Sequence, residues 1–244
     1  MNSKFLSTAL LATATLATVG MFAPQASATS LVPQMETEID VDLGCLDPDP
    51  DKCIDKGEFS TFLPWIANIS SLVDATTGEK SRLFVDHLAT KSTYTDGDTL
   101  IRFKSKDAGT NPDGYWFRPS EVNEEKGQLE VGTFQFDFTK TIRKLTIDFF
   151  DTEKANSTGI LAINGVELDQ PIYIADGPNG NIAEEMLFDV NSITLKLGND
   201  KLNSTGDGVD FRLHKDVPEP TTALGLLVVG ALGAASARKR GQKQ

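Results

Sequence analysis

The densest run of metal-ligating side chains is Asp47-Pro48-Asp49-Pro50-Asp51-Lys52-Cys53-Ile54-Asp55-Lys56-Gly57-Glu58. With Asp47 as position one, carboxylates fall at positions one, three, five, nine and twelve, and apolar Ile54 falls at eight. Oxygen donors at those spacings can converge on one hard divalent cation, which makes Asp47, Asp49, Asp51, Asp55 and Glu58 candidate calcium ligands. Position six opposes that reading. The loop must turn sharply there, and Lys52 replaces the glycine that adopts a left-handed backbone without cost. Pro48 and Pro50 also remove backbone donors that would brace the loop. The competing reading is an acidic turn pinned by Cys45 and Cys53.

The spacing resembles the calcium loop of EF-hand and dockerin-type proteins over those twelve residues, and the resemblance implies bound calcium. Tyr115-Trp116-Phe117 is the next candidate, since Tyr115 and Trp116 could offer ring faces to sugars. Neighbouring strand residues point to opposite faces, so at least one of the three belongs to the core, and Trp116 is expected there. His87 and His214 have no cysteine or serine at a recognisable spacing. The chain has no G-x-S-x-G, H-E-x-x-H or P-loop pattern, and no acid pair is singled out for glycosidase chemistry. The expectation is a non-catalytic protein.

Both ends read as processing segments. Lys4, the apolar run Phe5 to Phe22 and Ala26-Ser27-Ala28 predict a signal peptide over 1–28, with a mature start at Thr29. At the other end, 217–244 holds Pro218-Glu219-Pro220, an apolar span over 223–237 and the basic cluster Arg238-Lys239-Arg240. Between them, 29–216 is long enough for one domain with a proper core. That body carries 18 basic and 34 acidic residues, a net charge of about −16. So acidic a body repels phosphate backbones and anionic lipid headgroups, which excludes nucleic acid as a partner. Cys45 and Cys53 are the only cysteines and lie eight apart; in an exported chain they predict a disulfide.

The elements that must position these residues are strands. Met35 to Leu43 alternates, with Glu36, Glu38, Asp40 and Asp42 on a face expected to be solvated. Phe59 to Val73 predicts a short helix or an irregular buried segment, interrupted by Pro64. Short apolar runs follow at Leu83–Leu88 and Leu100–Lys104, then a turn at Asn111-Pro112-Asp113-Gly114. Leu129 to Phe138 changes phase at Gly132, which reads as a β-bulge. Leu145–Phe149 alternates again, and Asn164-Gly165 predicts a type I′ hairpin. Pro171–Ala175, Phe188–Leu197 and Val209–Leu213 complete an all-β count. The pattern predicts a single β-sandwich, jelly-roll-like, with few short helices.

Pro218-Glu219-Pro220, the span and Arg238-Lys239-Arg240, in that order, resemble a PEP-CTERM sorting signal of Gram-negative bacteria, including cyanobacteria. That resemblance implies processing by an exosortase, besides signal peptidase, and delivery to the cell envelope or exterior. It also implies a link to exopolysaccharide and biofilm, and most members have no known enzymatic activity. Gln128-Leu129-Glu130-Val131-Gly132 resembles the LEVG group of these proteins, and Gly206-Asp207-Gly208-Val209-Asp210-Phe211 is similar to the end of their β-sandwich ectodomains. The expected protein is a structural or adhesive component touching extracellular polysaccharide. The alternatives are a calcium-dependent carbohydrate-binding module and a glycan-acting enzyme.

Overall fold

The computed structural model describes residues 28–75, 77–97, 99–104, 111–121, 130–199 and 208–216. The signal peptide, the sorting motif with Pro218, Glu219, Pro220, Arg238, Lys239 and Arg240, and the residues Gln128, Leu129, Gly206 and Asp207 lie outside them. Residues 27–218 form one compact unit.

The described residues form thirteen strands and almost no helix. The first strands are β1 (Ala28–Ser30), β2 (Thr37–Ile39) and β3 (Cys53–Ile54). A four-residue helix, α1 (Phe59–Phe62), precedes β4 (Ile66–Leu72), so the ambiguous stretch divides at Pro64, which cannot continue a helix. Next come β5 (Ser81–His87), β6 (Ser92–Asp96), β7 (Thr99–Phe103) and β8 (Tyr115–Glu121). The chain then makes β9 (Gly132–Phe150), β10 (Gly159–Ile163), β11 (Val166–Tyr173), β12 (Ile182–Leu197) and β13 (Asp210–Asp216).

Eleven strands share one sheet, with β6 and β7 forming a separate hairpin. The two long strands divide that sheet into halves. The first part of β9 pairs with β4, its second part with β13, and β12 follows it along both parts. A register shift between Val190 and Ser192, opposite the exposed Thr139–Thr141 stretch, marks the bend. One half runs β4-β9-β12-β10-β11, and the other runs β3-β2-β5-β8-β13-β9-β12. Their inner faces meet. Phe136 on the smaller half stands 5.8 Å, ring to ring, from both Phe117 and Phe211 on the larger. Each fully buried phenylalanine contributes about 1.5–3 kcal/mol through the area removed from water.

Gly132 is not at a bulge. Its register with Leu197 is regular, and a Cβ there would lie 2.5 Å from the Phe134 ring and 2.9 Å from Ser81. Close packing, rather than a slip in pairing, demands the glycine. The Asn164-Gly165 turn has φ of 56° and 74°, as a type I′ hairpin requires. The acidic row before Leu43 is not uniformly solvated. Only Thr37–Ile39 pairs, and Glu38 is buried because Arg82 meets it at 2.5 Å and the Leu46 N–H donates to it at 2.6 Å.

Candidate functional site

The acidic loop folds around side chains of its own. Asp47 accepts a hydrogen bond from the Asp49 N–H at 3.1 Å and pairs with Lys52 Nζ at 2.8 Å. That hydrogen bond from Lys52 holds the Asp47 carboxyl below the usual carboxylate range. Asp49 accepts from the Asp51 N–H at 3.0 Å and caps the 3-10 turn Pro50–Lys52. Asp55 accepts from the Gly57 and Glu58 N–H groups at 2.7 and 3.2 Å. Lys52 therefore avoids the left-handed backbone and places its ammonium against the first would-be ligand. Among the described residues, no three His, Cys, Asp or Glu side chains come together to hold a metal ion. In this arrangement the Asp47, Asp49 and Asp55 carboxylates are taken up by Lys52 and by backbone N–H groups. The disulfide is present: Cys45 and Cys53 are bonded, with their Cα atoms 5.9 Å apart.

The predicted aromatic pair separates. Trp116 is fully buried against Phe150 and Leu88 and has no face to offer a ligand. Tyr115 is half-buried, with its ring 4.6 Å from that of His87. His214 meets Asp148 at 3.0 Å.

Beneath the β6–β7 hairpin, the outward face of the larger half holds a charge network that spacing does not reveal. Arg118 is fully buried, pairs with Asp86 at 2.8 Å, contacts Glu130 and lies 4.5 Å over the Phe103 ring. Burial works against its charge, but Glu130, Asp210 and Asp86 outweigh that and raise its pKa. Asp210 accepts from Asn111 Nδ2 at 2.7 Å. Its pKa is pushed well above the usual carboxylate value, first by burial and then by the charges of Glu130 and Asp86. The two stretches that carry the group resemblance meet here. The Val209 N–H donates to the Glu130 carbonyl at 3.1 Å, and a Cβ on Gly208 would strike Glu130 at 2.8 Å. Val131 is core, so what is described of both stretches packs the domain and braces Arg118.

The outward face of the smaller half is open. A cleft of about 500 Å³ crosses all five of its strands, lined among others by Leu72, Gln135, Thr194, Leu161 and Glu167. The register explains why these side chains converge. Tyr173, Gly159, Lys196, Thr133 and Leu72 are successive partners in one row across the sheet. Glu167, Ala162, Thr194, Gln135 and Ser70 form another. Tyr173 is 42% exposed. A Cβ on Gly159 would come 2.6 Å from the Ile172 carbonyl and 3.1 Å from the Tyr173 ring, so the glycine lets that ring lie across β10. Gln135 Nε2 donates to Asp137 at 2.9 Å, which leaves its carbonyl oxygen as an acceptor on the face. The sequence signal for this site was the alternation of β9 and β12, whose polar phase it occupies. Tyr173 carried no motif.

The described residues thus define an all-β domain with a ligand-sized cleft on an outward sheet face. Residues 216–240 match the PEP-CTERM protein-sorting motif, which marks the chain as exported and sorted to the cell envelope by an exosortase. The match covers the signal and not the body. No curated protein matches the chain. A family 29 carbohydrate-binding module from Piromyces equi is similar over 55% of this chain and 88% of its own, at 7% identity and a TM-score of 0.22. A likeness that distant carries no argument about fold or ligand.

Proposed function

We propose that this exported protein is a non-catalytic component of the cell surface or extracellular matrix whose β-sandwich domain holds neutral polysaccharide. The observation that supports the reading is the open cleft, with Tyr173 at the edge of its face and hydrogen-bonding side chains along it. A pyranose ring offers a flat C–H face to an aromatic ring, and its hydroxyls pair with side chains that both donate and accept. Gln135, Thr194, Lys196 and Glu167 supply both kinds of group on adjacent strands. The sorting motif delivers the domain to the compartment where such polymers lie. The stretch Gln128–Gly132 is the ground for placing the chain in the LEVG group.

Retention of the purified protein on the host's immobilised exopolysaccharide tests this. Tyr173→Ala and Gln135→Ala should each weaken binding about tenfold, as loss of one well-placed contact does. Each should leave stability within about 0.5 kcal/mol, since both sites are at the surface. Undiminished retention in both variants would discard the cleft as the site.

A further inference from the structure

The open cleft has a direction as well as a volume. Thr133 and Gln135 alternate with core Phe134, and Thr194 sits beside core Leu195, so the three polar side chains share the outward face. The register carries that face across the strands. Leu72 is in line with Thr133 and Lys196, and Glu167 is in line with Ala162, Thr194 and Gln135. Groups that line the cleft therefore succeed one another from strand to strand, at about 4.8 Å per step. The strands stand in the order β4, β9, β12, β10, β11, so four steps separate Leu72 from Glu167, a span of about 19 Å.

The chemistry of the cleft changes along that line. Leu72 lies at the β4 end, and Leu161, Ala162, Leu168 and Pro171 lie at the other, on β10 and β11. Between them, Thr133, Gln135 and Thr194 offer donors and acceptors from the two central strands. Surplus chain supplies part of the apolar end. The register of β10 with β11 slips between Ile160 and Ala162, which leaves Leu168 to Pro171 as extra residues on β11. Among the described residues Glu167 is the one charged side chain that lines the cleft, and it repels sugars that carry carboxylate or sulfate groups.

A β-1,4-linked pyranose chain matches such a line. Its glycosidic bonds leave opposite corners of each ring close to the ring plane, so the chain runs straight, and each ring advances it by about one strand step. Ring C–H faces can rest on the apolar side chains while hydroxyl edges meet Gln135 and Thr194. An α-1,4 chain coils and departs from a straight row. We infer that the cleft binds neutral β-1,4-linked polysaccharide laid across the strands, with about four rings between Leu72 and Glu167. The inference rests on the polysaccharide reading of this cleft and adds linkage, direction and length to it.

Calorimetric titration of the full chain with β-1,4-linked glucose, mannose and xylose oligomers of one to six rings tests this, beside α-1,4-linked glucose oligomers. In at least one β-1,4 series, Kd should fall roughly three- to tenfold with each ring up to about four, and by less than about twofold beyond. At four rings the α-1,4 series should bind at least about tenfold more weakly. Leu72→Ala and Glu167→Ala sit at opposite ends, so each should weaken the four-ring oligomer roughly fivefold and the two-ring oligomer by less than about twofold. The two-ring oligomer is thus the control for folding. Affinity independent of length, equal affinity for the α-linked series, or end variants that leave the four-ring Kd unmoved would each overturn the inference. Retention of the host exopolysaccharide through Gln135 with no oligomer bound would sink the linkage and length and leave the cleft reading intact. Failure of polymer and oligomers alike would overturn both.

Discussion

The two outward faces of the one sheet carry similar residues and meet opposite fates. On the larger half, Asp86, Arg118 and Asp210 lie under the β6–β7 hairpin and its neighbouring loops, where the charges answer one another. On the smaller half, Gln135, Thr194 and Glu167 line a cleft that no hairpin among the described residues covers. Residue type does not distinguish a structural network from a binding face. Cover does. A buried charge must find its partner within the protein, while an uncovered polar side chain remains available to a ligand.

The sharpest way to test that contrast is to break the covered face. Arg118→Ala leaves the buried Asp86 and the half-buried Glu130 without their cation and should destabilise by about 3–5 kcal/mol in denaturant unfolding. A loss below about 1 kcal/mol would mean that water reaches the network. Cys45→Ala with Cys53→Ala tests the acidic loop, which is likewise satisfied from within. Losing a cross-link over so short a loop should cost about 2–3 kcal/mol, with the cleft and its ligand affinity unchanged.

A smaller effect separates the titration of the covered face from its packing. The folded-state pKa of Asp210 lies above its unfolded value because burial and nearby carboxylates favour the protonated form. Its stabilising contribution is therefore full below the unfolded pKa and is lost as pH rises through the folded one. Glu36 and Glu38 are raised by burial in the same direction. Asp210→Asn keeps an acceptor for Asn111 and cannot ionise. Its Tm should match wild type near about pH 4 and exceed it increasingly toward about pH 8. Parallel Tm–pH curves for the two proteins would show that Asp210 does not carry the linkage. The smallest expected change is none: adding calcium or a chelator should leave Tm unmoved, since Asp47, Asp49 and Asp55 are taken up by Lys52 and backbone N–H groups. A calcium-dependent rise would show the loop reopening around the ion.

Much of the fold was legible from alternation alone. The all-β class, the Asn164-Gly165 hairpin and the disulfide follow from spacing, because each depends on residues near one another in the chain. Trp116 was expected in the core, and lies there. Two readings went astray for a single reason. The phase change at Gly132 reads as a bulge along the chain but reflects packing against Phe134 and Ser81; Glu38 reads as solvated, yet it is buried and paired with Arg82, forty-four positions away. Each depends on what sits across the fold, which periodicity along the strand does not report.

By itself, then, the sequence determined the export address, the secondary structure that alternation encodes and the short-range cross-link. Those are properties of contiguous residues. Only the tertiary structure decided which charges are internal and which face a ligand. It did so by pairing β9 and β12 across both halves of the sheet, bringing Glu130 and Asp210 to Arg118, and leaving Tyr173 in the row with Lys196 and Thr133. Register and cover are set by contacts between residues scores of positions apart, and no local spacing contains them.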